Sequence, residues 1–166
     1  MTTLALRDAG PDDLEAVVRV FLGCFRVTYA AHLPPRLVAS MSDEAARSLW
    51  ERALTSPGRE VVVAQIDDEV RGVVAFAAEG EEGWVHSLYV APDAQGHGVG
   101  STLLRCAADR LLAAACHRAY LWVFAENQPS VRFYARRGWT PDGVTRVEEP
   151  FGENEIRLFR SLEAAA

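Results

Sequence analysis

The 166-residue chain contains no lysine; all 17 of its basic residues are arginine. That absence removes whole mechanisms. A phosphate-binding loop of the G-x-x-x-x-G-K-[ST] type, a pyridoxal Schiff base and a lysine-dependent aldolase each need an ε-amine. Cysteine is scarce: Cys24, Cys106 and Cys116 are odd in number and form no C-x-x-C pair, so neither a zinc knuckle nor a thioredoxin-like site can be built from them. They read as buried, reduced thiols. His32 and His117 stand at no ligand spacing to anything, so no metal is expected. The longest unbroken apolar run, residues 119–125, is too short to span a bilayer, and residues 1–8 lack the basic start and long apolar stretch of a targeting segment. A cytoplasmic location is the expectation. Positive charge is also in deficit. With 23 acidic residues the formal charge is -6, which opposes nucleic-acid phosphates and anionic membrane surfaces, so neither is an expected partner.

What is present describes an ordinary globular chain. Hydrophobic residues make up 49% and charged residues 24%, which fits one domain over residues 1–166 with a sizeable core. Residues 4–7 alternate as a short strand. Pro11, Asp12 and Asp13 then give the proline and acidic first turn of a helix running to about Phe25. Ser42 caps a second helix to Leu54. The period then changes. Valine-rich residues 60–66 and 70–78, joined by Asp67-Asp68-Glu69, read as a hairpin, and residues 84–90 as a further strand. Residues 101–115 carry a continuous apolar stripe from Leu103 to Ala115 and form an amphipathic helix. Residues 119–124 are a strand, Pro129 opens a short helix that Gly138 closes, and residues 155–160 are a final strand. Strand, helix, strand over 84–124 is a right-handed crossover behind an antiparallel meander. The fold class is therefore α/β, with a mixed sheet.

Between the strand ending at Val90 and the helix starting at Ser101 lies Gln95-Gly96-His97-Gly98-Val99-Gly100. Glycines let the backbone approach a ligand closely, and free N–H groups at a helix start hold pyrophosphate without any lysine. The same residues also make a plain tight turn. A dinucleotide fingerprint fails, because the third glycine comes one residue early and residues 115–124 hold no acid for a ribose.

Residues 88–104 resemble motif A of the GNAT superfamily of N-acetyltransferases, whose signature [QR]-x-x-G-x-[GA] is filled by Gln95, Gly98 and Gly100. Asn127 through Ser130, Phe133-Tyr134 and Arg137-Gly138-Trp139 are similar to that family's motif B. The resemblance covers Val61 to Arg160 well and the N-terminal helices more loosely. It implies a mostly antiparallel mixed sheet with a central β-α-β cofactor unit flanked by helices. It also implies acetyl-CoA as co-substrate and a primary amine, of a small molecule or a peptide, as acceptor. Pyrophosphate would rest on Gly96, His97, Gly98, Val99, Gly100 and Ser101, with His97 facing phosphate or solvent. By the same resemblance the preceding strand is bulged and splayed. That leaves Leu88, Tyr89 and Val90 to pair with the pantetheine arm, and the Val90 N–H to polarise the thioester.

Catalytic roles follow from the chemistry of aminolysis. An ammonium must lose a proton before it attacks, and His86 is the leading base, on strand alternation placed on one face with Leu88 and Val90. Glu79, Glu81 and Glu82 are the alternatives. Tyr134 matches the family's general acid for the departing thiolate, or packs beside Phe133 and Trp139. Asn127 would touch the cofactor arm or cap the helix after Pro129. Phe25, Tyr29 and Trp50 line the acceptor site or belong to the core. Glu148, Glu149, Glu153 and Glu155 would suit a cationic amine, the simpler reading being a solvated hairpin face. Transfer would proceed by direct attack in a ternary complex, in a monomer or homodimer. The rival is a non-catalytic CoA-binding regulatory module.

Overall fold

The computed structural model describes residues 3–148 and 152–163. Seven strands form one sheet in the order β1-β2-β3-β4-β5-β7-β6. They are β1 (Leu4–Asp8), β2 (Arg59–Ile66), β3 (Glu69–Glu79), β4 (Glu82–Val90), β5 (Arg118–Phe124), β6 (Thr140–Glu148) and β7 (Glu153–Ser161). Only β4 and β5 run parallel among these pairs. The helix between them, α4 (Val99–Ala113), is the crossover. The others are α1 (Leu14–Gly23), α2 (Pro35–Ser40), α3 (Asp43–Thr55) and α5 (Gln128–Ala135).

Each face of the sheet is covered for a reason visible in its residues. Gly72 and Gly83 leave room for α4: a Cβ on Gly72 would stand 2.7 Å from Val99, and one on Gly83 2.7 Å from Leu111. On the opposite face Tyr89 meets the rings of Phe21 from α1 and Trp50 from α3, at 4.8 and 6.2 Å between centroids. Trp50 and Trp139 are fully buried, so Trp50 belongs to the core and not to an acceptor site. The expected Ser42 cap is present, its hydroxyl accepting from Ala45 N–H at 3.0 Å. The β2–β3 turn uses Asp67 and Asp68 at φ 50° and 69°, the left-handed pair that a two-residue hairpin demands.

Several elements depart from the expectations. The first helix does not run unbroken from Pro11 to Phe25. It opens with a 3-10 turn at Pro11–Asp13 and ends in a π-helical turn at Cys24–Thr28. Strand β6 and helix α2 went unforeseen, since Pro141, Asp142 and Gly143 read as a turn and β6 is mostly exposed, with its register broken between Pro141 and Thr145. All three cysteines are free, but only Cys24 and Cys116 are buried; Cys106 is half-buried. No helix of the described residues is long and apolar enough to cross a membrane, and none of their His, Cys, Asp or Glu groups could hold a metal ion.

Candidate active site

Strand β4 departs from regular pairing in two ways that open the sheet. Ser87 pairs with Ala75 and Val85 with Phe76, so His86 is an extra residue in a β-bulge. Parallel pairing with β5 covers only Glu82, Gly83 and Trp84, and beyond Trp84 the two strands separate. The bulge overturns the expected alternation. Leu88 and Val90, opposite Val74 and Gly72, share a face with Val85, and the alternation is interrupted at His86. His86 is instead exposed at the mouth of the opening.

Two clefts flank this opening. The first, about 360 Å³, runs from Leu88 and Val90 past Gln95, Gly96 and Gly98 to Val99, Gly100 and Ser101, with Pro129, Phe133 and Arg137 on its far side. Gly96 and Gly98 hold φ of 82° and 80°, a left-handed conformation that a side chain would strain. Gly98 is the N-cap of α4, and the first helical bond runs from Thr102 N–H to Gly98 O at 3.0 Å. The N–H groups of Val99, Gly100 and Ser101 therefore precede the ladder and are available to an anion. The loop is held in place by Gln95, whose Nε2 donates to Thr28 Oγ1 at 3.0 Å and to Val90 O at 3.1 Å. Arg137 completes the rim. Its Nε donates to Ser101 Oγ, and its guanidinium lies 3.7 Å from the centre of the Phe133 ring.

The second cleft, about 280 Å³, occupies the gap between β4 and β5. Phe25, Leu37 and Met41 come from the N-terminal helices, Trp84 to Tyr89 from β4, Leu121 to Phe124 from β5, and Arg146, Glu148 and Glu155 from the last hairpin. Arg36 Nη2 donates to Glu153 Oε1 at 2.9 Å, which ties α2 to β7 beside it. Tyr29, Leu88, Ser130 and Tyr134 line both clefts and form their common wall.

The environment of this wall is dry. Burial pushes the hydroxyls of Tyr29, Tyr89 and Tyr134 well above the usual phenol range, with the Cys24 thiol adding to each. Burial raises Cys24 as well, while the nearby Val90 backbone and the Tyr29 and Thr28 hydroxyls pull weakly the other way. Partial desolvation at the mouth of the cleft and then Arg59 push His86 below its ordinary value, against a weaker pull from Glu79, so its ring is mainly neutral at pH 7.

Of the residues singled out in the sequence, Leu88, Val90, Gln95, Gly96, Gly98, Val99, Gly100, Ser101 and Tyr134 meet in the first cleft. Tyr89 and Asn127 line the second cleft instead, and exposed His97 lines neither. Asn127 is buried, its side-chain oxygen accepting from Ser130 N–H at 3.4 Å as the cap of α5. Phe25 and Tyr29 border the second cleft, whereas Glu79, Glu81 and Glu82 border neither. The reading of the acidic cluster as a solvated face is overturned for Glu155, which is 7% exposed, and for Glu148, which is half-buried. Glu149 lies outside the described residues. Sequence reasoning missed Cys24, Thr28 and Arg137. Arg137 had a signal, since it lies inside the motif B stretch one residue before Gly138.

A glycine-rich helix start and an aromatic, partly acidic cleft thus share one wall. The chain belongs to the acetyltransferase (GNAT) family, which matches residues 15–139. It is 28% identical over 164 residues to YuaI, an uncharacterized N-acetyltransferase of Bacillus subtilis, covering 93% of this chain and 88% of that one. It is also 28% identical over 155 residues to the L-methionine sulfoximine/L-methionine sulfone acetyltransferase of Pseudomonas paraeruginosa, covering 89% and 87%. Among solved structures, the PaiA N-acetyltransferase of Thermoplasma acidophilum in complex with coenzyme A superposes with a TM-score of 0.77 at 18% identity, over 96% of this chain and 99% of that one.

Proposed function

We propose that the protein transfers an acetyl group from acetyl-CoA to a primary amine of a small molecule, by direct attack while both are bound. The observation that carries this reading is the common wall of Tyr29, Leu88, Ser130 and Tyr134, which brings an anion-binding cleft and an acceptor cleft to one point. Bound acetyl-CoA would supply an activated acyl group as a thioester. The residues present fit it: the N–H groups of Val99 to Ser101, the left-handed Gly96 and Gly98, and Arg137 suit a pyrophosphate.

His86, neutral and lining the acceptor cleft, takes the proton of an incoming ammonium, directly or through water. Tyr134, whose raised pKa keeps it protonated, stands at the junction and donates to the departing sulfur. A phenol above its usual range is still matched to this task, because the same dry surroundings raise a thiol, as they do at Cys24. No covalent intermediate on the protein is required.

The test is calorimetric titration with acetyl-CoA, with NADH and ATP as controls, followed by an amine panel scored by release of CoA thiol. Selective micromolar binding with amine-dependent release is the expected result. Binding without release for any amine would favour the non-catalytic CoA-binding module, and absence of binding would end both readings.

A further inference from the structure

The two clefts are joined by more than their shared wall. The π-helical turn Cys24–Thr28 sends side chains into both: Cys24 and Thr28 line the first cleft, Phe25 the second, and Tyr29, whose N–H closes the turn on Cys24 O, lines both. Turns of this kind recur at functional sites. Here the turn is tied at both ends. On the loop side Thr28 Oγ1 accepts from Gln95 Nε2 at 3.0 Å, and the same amide nitrogen donates to Val90 O at 3.1 Å. The Val90 backbone and the Thr28 and Tyr29 hydroxyls also face the Cys24 sulfur as hydrogen-bond partners. On the other side Arg26 Nη2 donates to Met41 O at 3.0 Å and pairs with Asp43 at 2.8 Å. Met41 lines the second cleft and not the first.

Gln95 stands directly before Gly96, at the start of the loop that leads into α4. The left-handed glycines Gly96 and Gly98 give that loop a freedom that a bound anion removes. Ordering the loop fixes Gln95, Gln95 fixes the turn, and a second ligand then meets a wall already ordered, which is positive cooperativity without a large change of shape. We propose that Thr28 is a positioning residue: through its hydrogen bond with Gln95, filling the first cleft orders the wall of the second at Phe25, Tyr29 and Met41, so that cofactor and acceptor bind with positive coupling. The hydroxyl is the working group, so serine can replace threonine and valine cannot. This assignment rests on the reading that the first cleft holds acetyl-CoA, and it names how that cleft governs its neighbour.

Hydrogen–deuterium exchange with and without saturating CoA tests this without an identified acceptor. The reporters are the amides of Leu37, Val38, Met41 and Ser42, which are hydrogen-bonded and lie on the far side of the turn from the loop. In the wild type CoA should slow exchange at residues 96–101 and, by about fivefold, at residues 37–42. In Thr28→Val the protection at 96–101 should remain while that at 37–42 falls below about twofold, and Thr28→Ser should restore it. Gln95→Leu removes the donor of the same bond from an exposed position and should match Thr28→Val, so the result does not hang on how one variant folds. Protection confined to 96–101 in the wild type, or protection at 37–42 that survives in both variants, would overturn the coupling and leave acetyl-CoA binding standing. Protection at neither stretch would end the acetyl-CoA reading and the coupling with it.

Discussion

The two clefts meet at one wall yet are built in opposite ways. The first cleft is drawn from two short stretches, residues 88–101 and 129–137, with only Cys24, Thr28 and Tyr29 from elsewhere, and three glycines stand in its loop. The second cleft holds no glycine and is drawn from positions between Phe21 and Glu155 on at least six elements. A backbone cradle accepts one ligand chemistry and needs little more than glycines and a helix start. A side-chain cleft can change its occupant by changing a few residues without disturbing that cradle.

The sharpest way to break this contrast is a side chain in the cradle. Gly98→Glu combines strain at φ 80° with an anion where phosphate should sit, so acetyl-CoA affinity should fall on the order of 1,000-fold by calorimetry. Wild-type affinity in that variant would remove the loop from the site. Next in size is the wall itself. Tyr134→Phe should lower kcat about 100-fold while the acetyl-CoA dissociation constant changes little, and unchanged turnover would end the acid role.

A smaller effect should separate His86 from a spectator. The wild-type kcat/KM should fall on the acid side with a pKa below the ordinary 6.5, because a lowered pKa keeps the base neutral until the pH drops through it. In His86→Ala that limb should vanish; superimposable profiles would demote the residue to structure. The smallest expected change concerns stability. Glu148 has a raised pKa, so its ionised form costs stability once the pH rises through that value, and it costs nothing below the unfolded carboxyl value of 4.5. Glu148→Gln should therefore raise the melting temperature by about 2–4 °C at pH 7.5, corresponding to about 1 kcal/mol, with the gain fading below pH 4.5. A gain that persists in acid would show that the carboxylate charge is not its cause.

The same division explains what the sequence made legible. The β4-loop-α4 unit was readable because its signals are local: glycines at fixed offsets, a helix stripe beginning at Leu103, and a strand ending at Val90. Gln95 and Tyr134 came with the motifs. The acceptor side resisted for physical reasons. A bulge at His86 inserts one residue without any compositional mark, and it interrupts the alternation from which a face is read. Strand β6 hides behind Pro141 and Gly143 and is held mainly by pairing with β7. Glu148 and Glu155 look solvated in sequence because acids usually are, whereas pairing of β6 and β7 beside β5 brings both to the second cleft.

The central claim is that both substrates are held at once on either side of Tyr29, Leu88, Ser130 and Tyr134. The most direct test is an initial-rate matrix with acetyl-CoA and an amine acceptor varied together, accompanied by intact mass of the protein after exposure to acetyl-CoA alone. Intersecting double-reciprocal lines and an unmodified protein mass are the predicted result. Parallel lines with an acetylated protein would contradict direct transfer across the shared wall.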